Sequence, residues 1–268
     1  MTATPMTTSE LSVAVDVTNP GQFYACCGLL ELADRMLGGC RSHFDEDGLF
    51  TISPTKADTR ATLDSVITRL HDAAPEPLVP DNPMTTPLNL PAPFDLRLDW
   101  WNDDHSGGSE LKTWAGQQKV VRIVAAMHAT LLDEAITRDQ LLQRSAVLYE
   151  PGSRSKTVEP FYFDSRRAAQ AHAIDIGFSP DTQGMEMPVH SATELLCLVG
   201  LQRFRPRRNQ DRSRSYRTWA KPLPTPVAAA VASCGADIPN TREYQFRLLF
   251  RTKYLKGFLP AIPIGDDR

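Results

Sequence analysis

Apolar and polar residues alternate at the start of the chain. Leu11, Val13, Val15 and Val17 are separated by Ser12, Ala14 and Asp16, the two-residue period of a strand with one buried face. Asn19-Pro20-Gly21 follows, with Asn suited to a helix N-cap and Pro to the first helical turn. The period then lengthens: Phe23, Cys26, Cys27, Leu30, Ala33 and Leu37 form one helical stripe, which Leu29, Leu32 and Met36 widen. Gly38-Gly39 supplies the stop. A second helix is predicted over Thr59–Ala73 from Leu63, Val66, Ile67 and Leu70. A third is predicted over Glu110–Ala135, with Val120, Val124, Met127 and Leu131 on its buried side. Ser191-Ala192-Thr193-Glu194 has the form of a capping box before the apolar run Leu195–Leu201, a helix that should end before Pro206.

Strands are predicted at Asp95–Trp101, within residues 146–190 (Phe161–Phe163 and Ala173–Phe178) and at the C-terminus. There Tyr244, Phe246, Leu248 and Phe250 alternate with Gln245, Arg247, Leu249 and Arg251. Residues 75–93 contain seven of the 21 prolines, which excludes a helix or a central strand and predicts a linker or extended loop. The pattern is that of an α+β fold with a mixed or antiparallel sheet, not a repeating βαβ series. It divides into a strand–helix region (1–74), the Pro-rich stretch (75–93), and a helical and β region (94–268) whose C-terminal half is basic; all three can form one domain.

Composition narrows the class. The 268 residues are 41% hydrophobic and 23% charged, which argues against wholesale disorder. No run of about 18 apolar residues suggests a membrane span, and MTATPMTTSE has neither the basic start nor the apolar core of a secretory signal. A cytoplasmic protein is expected. Its five cysteines (Cys26, Cys27, Cys40, Cys197 and Cys234) show neither a disulfide framework nor zinc-finger spacing, and free buried thiols are expected. Charge is unevenly placed. Residues 1–150 carry 11 Lys/Arg against 21 Asp/Glu, a balance of −10; residues 151–268 carry 18 against 11, a balance of +7. A polyanion would be held by the second half.

The densest basic segment is Arg203, Arg205, Arg207, Arg208, Arg212, Arg214, Arg217 and Lys221, opposed only by Asp211, with Phe204, Tyr216 and Trp219 among the cations. Guanidinium forks match phosphate oxygens, and aromatic rings give unpaired bases a stacking surface. Six phosphate contacts would give a log affinity–log salt slope of about −4 to −5. The same positions also suit a helix C-terminus, solvation, or pairing with the acidic first half. Gly107-Gly108-Ser109 before Lys112-Thr113 has the look of an anion nest, yet GxxxxGK[ST] is absent and Glu110 would oppose a phosphate. Asp103-Asp104-His105 lacks a companion metal motif, and no GxSxG nucleophile signature occurs. No catalytic residue, metal or cofactor is expected. Trp100-Trp101 fits a core better than a stacking platform.

Four phrases together resemble a known family: VDVTNPGQFYACCGLLELADRM (Val15–Met36), DWWNDD with LKTWAGQQ (Asp99–Asp104 and Leu111–Gln118), FDSRRAAQAHAIDIGFSPD (Phe163–Asp181) and HSATELLCLVGLQRFRPRR (His190–Arg208). The chain resembles CRISPR-associated proteins of the Csb series from subtype I-U (I-G) interference loci. The resemblance implies a non-catalytic, large-subunit-like component of an RNA-guided surveillance complex. Its partners would be guide RNA and/or target DNA and the other effector subunits, with no membrane. It also admits a ferredoxin-like core, which periodicity alone does not specify. The matched positions with suitable chemistry are Lys112, Gln117, Gln118, Arg166, Arg167, Arg203, Arg205, Arg207 and Arg208. Two alternatives remain: a scaffold subunit whose arginines dock an acidic partner, and an RNA- or DNA-cleaving enzyme using His105 or Asp103.

Overall fold

The computed structural model describes residues 10–56, 61–79, 86–105, 108–114, 118–133, 140–166, 188–251 and 254–265. It is an α+β protein whose strand pairings are all antiparallel. Strand β1 (Leu11–Ala14) leads into helix α1 (Pro20–Leu37), followed by the hairpin β2 (Cys40–Phe44) and β3 (Leu49–Pro54). β3 lies between β1 and β2, so β1-α1-β2 is a split βαβ unit, the first half of a ferredoxin-like arrangement. Helix α2 (Leu63–Asp72) comes next. The fourth strand of this sheet is β9 (Leu223–Pro224), which pairs with β2 at the far edge, whereas a ferredoxin-like sheet closes beside β1.

Local chemistry sets α1 as the sequence predicts. The Asn19 side chain accepts from the N–H groups of Gly21 and Gln22, Pro20 occupies the first turn, and Gly38 ends the helix at φ 71°. Every residue from Pro20 to Ala33 is buried. Such a helix needs cover on more than its sheet side, and α4 (Ser191–Gly200), itself wholly buried, provides it. The two helices meet backbone to backbone. A Cβ on Gly28 would stand 2.0 Å from the Leu196 carbonyl oxygen, and one on Gly200 would stand 2.0 Å from that of Tyr24.

Helix α3 (Val120–His128) packs on α4, and α5 (Thr225–Ala232) packs beside β8 (Arg214–Trp219). A second antiparallel sheet has the order β13 (Ile262–Pro263), β10 (Thr241–Phe246), β8, β7 (Arg207–Arg208). Its inner face sends Tyr216 onto Phe23 of α1, stacked at 4.2 Å between ring centroids. Trp219, at the end of β8, donates its indole N–H to the Ser42 carbonyl of β2. One continuous core therefore joins the N-terminal region to the basic C-terminal half.

Several predicted elements take a different form. The Pro-rich stretch pairs in its described part: β4 (Glu76–Pro77), β5 (Leu88–Leu90) and β6 (Leu96–Leu98) form a small sheet with β5 in the middle, a central strand where the prolines argue against one, because Leu88–Leu90 itself holds no proline. The predicted strand Asp95–Trp101 shortens to β6 and passes into a 310 turn at Trp100–Asn102. The helix predicted over Glu110–Ala135 is interrupted. A 310 turn spans Ser109–Leu111, Lys112 is extended, and α3 begins at Val120. Continuing α3 backwards would keep Thr113 on its buried face but turn Leu111 and Trp114 away, and all three are buried.

Phe161–Phe163 is not a strand, although Phe161 and Phe163 are buried; Ala173–Phe178 lies outside the described residues. The C-terminal alternation breaks at Arg247. β10 joins β8, while β11 (Leu248–Arg251) pairs with β12 (Tyr254–Phe258) as a separate hairpin.

The Gly28 contact has a measurable consequence. Gly28→Ala should lower unfolding stability by about 3 kcal/mol or more, because rigid backbone on both helices must move. Gly265→Ala, where an added Cβ meets nothing within 4 Å, should stay within about 0.5 kcal/mol. Urea unfolding of both variants checks the pair.

A candidate nucleic-acid interface

The arginine-rich segment begins where α4 ends and runs through β7 and β8. It brings carboxylates from distant parts of the chain against its guanidiniums. Arg203 donates to Glu31 Oε1 of α1 at 3.1 Å, and its Nε lies 2.5 Å from Oε2, a contact of charge without hydrogen-bond geometry. Glu31 is buried and also accepts from Arg35 Nε at 2.7 Å. Arg205 meets Asp103 at 2.9 Å. Arg207 meets Glu243 at 2.6 Å, and Arg217 meets both Glu243 (2.9 Å) and Asp237 (3.3 Å). Glu110 bridges two cations, with Oε1 2.6 Å from Arg208 and Oε2 against Arg214.

The segment therefore does not present eight unengaged cations. Arg203 and Arg217 tie it to α1 and β10, and Arg214 is buried. Burial lowers the Arg214 pKa from its usual value, while Glu110 opposes that shift. Arg207 and Arg208 are exposed on the edge strand β7. Arg212 is exposed at a positive φ of 65°, and Lys221 is exposed after β8; neither has a carboxylate partner among the described residues. Exposed Arg–carboxylate pairs contribute only about 0–1 kcal/mol, so a phosphate can take over such guanidiniums.

The proposed base-stacking residues are corrected outright. Phe204, Tyr216 and Trp219 are at most 1% exposed. They lie among the arginines in sequence, but strand and helix geometry turns them into the core. There Tyr216 donates its hydroxyl to the Val17 carbonyl at 2.6 Å. Trp100 and Trp101 are buried too, packed edge-on to each other and to Trp114.

The positions taken from the family phrases scatter. Lys112 lies over the Trp114 ring at 5.6 Å, and burial lowers its pKa. Gln118 is half-buried; Gln117 and Arg167 lie outside the described residues. Arg166 is a structural residue: it grips Asp164 through Nε and Nη2 and also donates to the Leu142 carbonyl and to Gln143.

Sequence reasoning missed the polar knot around Asp164. Its Oδ1 accepts from Asn19 Nδ2 at 2.7 Å, and His190 Nδ1 lies 3.1 Å from Oδ2 without hydrogen-bond geometry. Burial alone would raise the Asp164 pKa; His190, Arg166 and Asn19 outweigh it and hold the carboxyl well below its usual value. Glu194 forms no capping box. Its two carboxylate oxygens accept from the N–H groups of Phe163 (3.1 Å) and Asp164 (3.0 Å). The box geometry occurs instead at Thr62 and Ser65 of α2. The available signal was an acid directly against the apolar run of α4, where burial demands a hydrogen-bond donor for it.

Arg205, Pro206, Arg208 and Arg214 face Asp104, His105, Glu110 and Leu111 across a cleft of about 280 Å³. Asp103, the proposed cleaving carboxylate, is held by Arg205. The described cysteines are all free. Among the described residues no group of three or more His, Cys, Asp or Glu side chains could hold a metal, and no helix is long and apolar enough to cross a membrane. No protein-family model, curated protein or solved structure matches this chain.

Asp164 gives a pH test. Its depressed folded pKa contributes stability above the unfolded value of about 3.9, and that contribution is lost as pH falls from there toward the folded value. Asp164→Asn should cost about 1–3 kcal/mol near neutral pH by removing the carboxylate that accepts from Asn19 and Arg166. It should also flatten the loss of stability below about pH 4, as read from thermal unfolding across pH.

Proposed function

We propose that this chain is a non-catalytic, nucleic-acid-contacting subunit of a type I CRISPR RNA-guided surveillance complex. The observation that carries the reading is the exposed cationic edge formed by Arg207 and Arg208 on β7, Arg212 in the following turn, and Lys221. The family phrases supply the biological context. Buried aromatics leave backbone phosphate as the group this edge would contact, so guide pairing and not this chain would provide sequence discrimination. Its location would be the cytoplasm, with guide RNA or target DNA and neighbouring effector subunits as partners.

A scaffold role would find a surface away from the arginines expected to dock an acidic partner. Edge strand β13 exposes Ile262 (63%), Ile264 beyond it is 41% exposed, and Phe250 of β11 is 53% exposed. Apolar groups beside a sheet edge suit a protein neighbour. Co-purification with RNA that nuclease or high salt removes favours the nucleic-acid reading. A salt-stable protein complex free of nucleic acid favours the scaffold.

Replacing Arg207, Arg208 and Arg212 together with Ala should weaken binding of single-stranded oligonucleotides regardless of sequence. The salt slope should become shallower by about 2. Arg203→Ala should instead act mainly on stability, because it leaves buried Glu31 with Arg35 as its one remaining guanidinium among the described residues. Binding titrations at several salt concentrations test this; an unchanged slope in the triple variant removes the interface.

A further inference from the structure

The cleft between Arg205, Arg208 and Arg214 has a feature that a merely structural ion pair does not require. Glu110 places one oxygen on each of two guanidiniums, and the two differ sharply in exposure: the Arg214 side chain is 5% exposed and that of Arg208 58%. Glu110 itself is 38% exposed and sits in a 310 turn at the cleft mouth. Its carboxylate can therefore rotate into water without leaving a cavity. Arg214 cannot follow, since its Nη1 is held by the carbonyls of Arg212 and Ser213. A buried guanidinium stripped of its carboxylate is costly, so Glu110 leaves only when another anion takes its place.

We propose that this cleft binds the terminal phosphate of a nucleic-acid strand, with Glu110 as the internal anion that the phosphate displaces. A carboxylate offers two oxygens and one charge, both already matched by Arg208 and Arg214. A phosphate monoester offers three oxygens and up to two charges, and the N–H groups of His105 and of Arg205, which also holds Asp103, line the same cleft as donors for the third oxygen. An internal phosphodiester is a poorer fit: it has only two unesterified oxygens, and its chain must leave in both directions. Asp104 and Asp103 border the site and oppose the anion, with Asp103 committed to Arg205. Displacement of Glu110 is thus what makes room in the charge balance.

This inference rests on the nucleic-acid reading, and one experiment separates the two. Binding of a single-stranded oligonucleotide is compared with its 5′ end phosphorylated and unphosphorylated, using wild type, Glu110→Gln and Arg208→Ala. A 3′-phosphorylated strand serves as a third probe. The expected result is a several-fold preference for one phosphorylated end in wild type, widened to about tenfold or more in Glu110→Gln and lost in Arg208→Ala. Salt-sensitive binding with no end preference in any of them overturns the cleft proposal and leaves the nucleic-acid reading standing.

If neither strand binds, that reading fails, and thermal unfolding with inorganic phosphate against chloride at equal ionic strength decides the cleft. A larger rise in Tm for Glu110→Gln than for wild type upholds an anion site, and no rise in either overturns it. Should Glu110→Gln fail to fold, the contrast between wild type and Arg208→Ala decides the same question. A Glu-rich peptide that binds Glu110→Gln where phosphate does not would make the cleft a dock for a protein carboxylate and overturn the proposal.

Discussion

The crossing of α1 and α4 at Gly28 and Gly200 is the constraint on which the other contacts depend. With no Cβ on either side, two buried helices approach until the backbone of one touches that of the other. That approach brings the start of α4 under the loop at residues 163–165, where Glu194 and Asn19 divide the backbone N–H groups of Phe163, Asp164 and Ser165 between them. It also fixes the end of α4, and so the direction in which the chain leaves toward Arg203. The arginine segment inherits its position from a pair of glycines.

What the sequence showed clearly was local. The Asn19-Pro20 start, the wide apolar stripe and the Gly38 stop define α1 because each signal lies within one or two turns of the feature it controls. The same logic misplaced Glu194. Ser191 and Glu194 have the spacing of a capping box, but backbone donors some thirty residues earlier claim the carboxylate. The predicted helix from Glu110 failed similarly, since Trp114 packs into a tryptophan cluster with Trp100 and Trp101, and Leu111 is buried as well.

The arginines show the sharper limit. Reading along the chain finds only Asp211 among them, yet Glu31, Asp103, Glu110, Asp237 and Glu243 converge on them in space. Glu31, Asp103 and Glu110 come from the acidic first half, whereas Asp237 and Glu243 belong to the basic half itself. Within the segment, Arg207 and Arg208 of β7, Arg212 and Lys221 remain exposed. Phe204, Tyr216 and Trp219 illustrate the same point for aromatics: adjacency in sequence to a cation says nothing about the side of a strand on which a ring lies.

The bond from Asn19 to Asp164 spans 145 residues. At cellular synthesis rates, about 7 to 30 s separate the emergence of its two ends from the ribosome. Throughout that interval α1, apolar on nearly every side, has been made while α4, the helix that covers it, has not. The nascent chain therefore carries this long, fully buried helix without its covering partner until α4 has been made, an interval in which a chaperone or an early-bound neighbour would shield it.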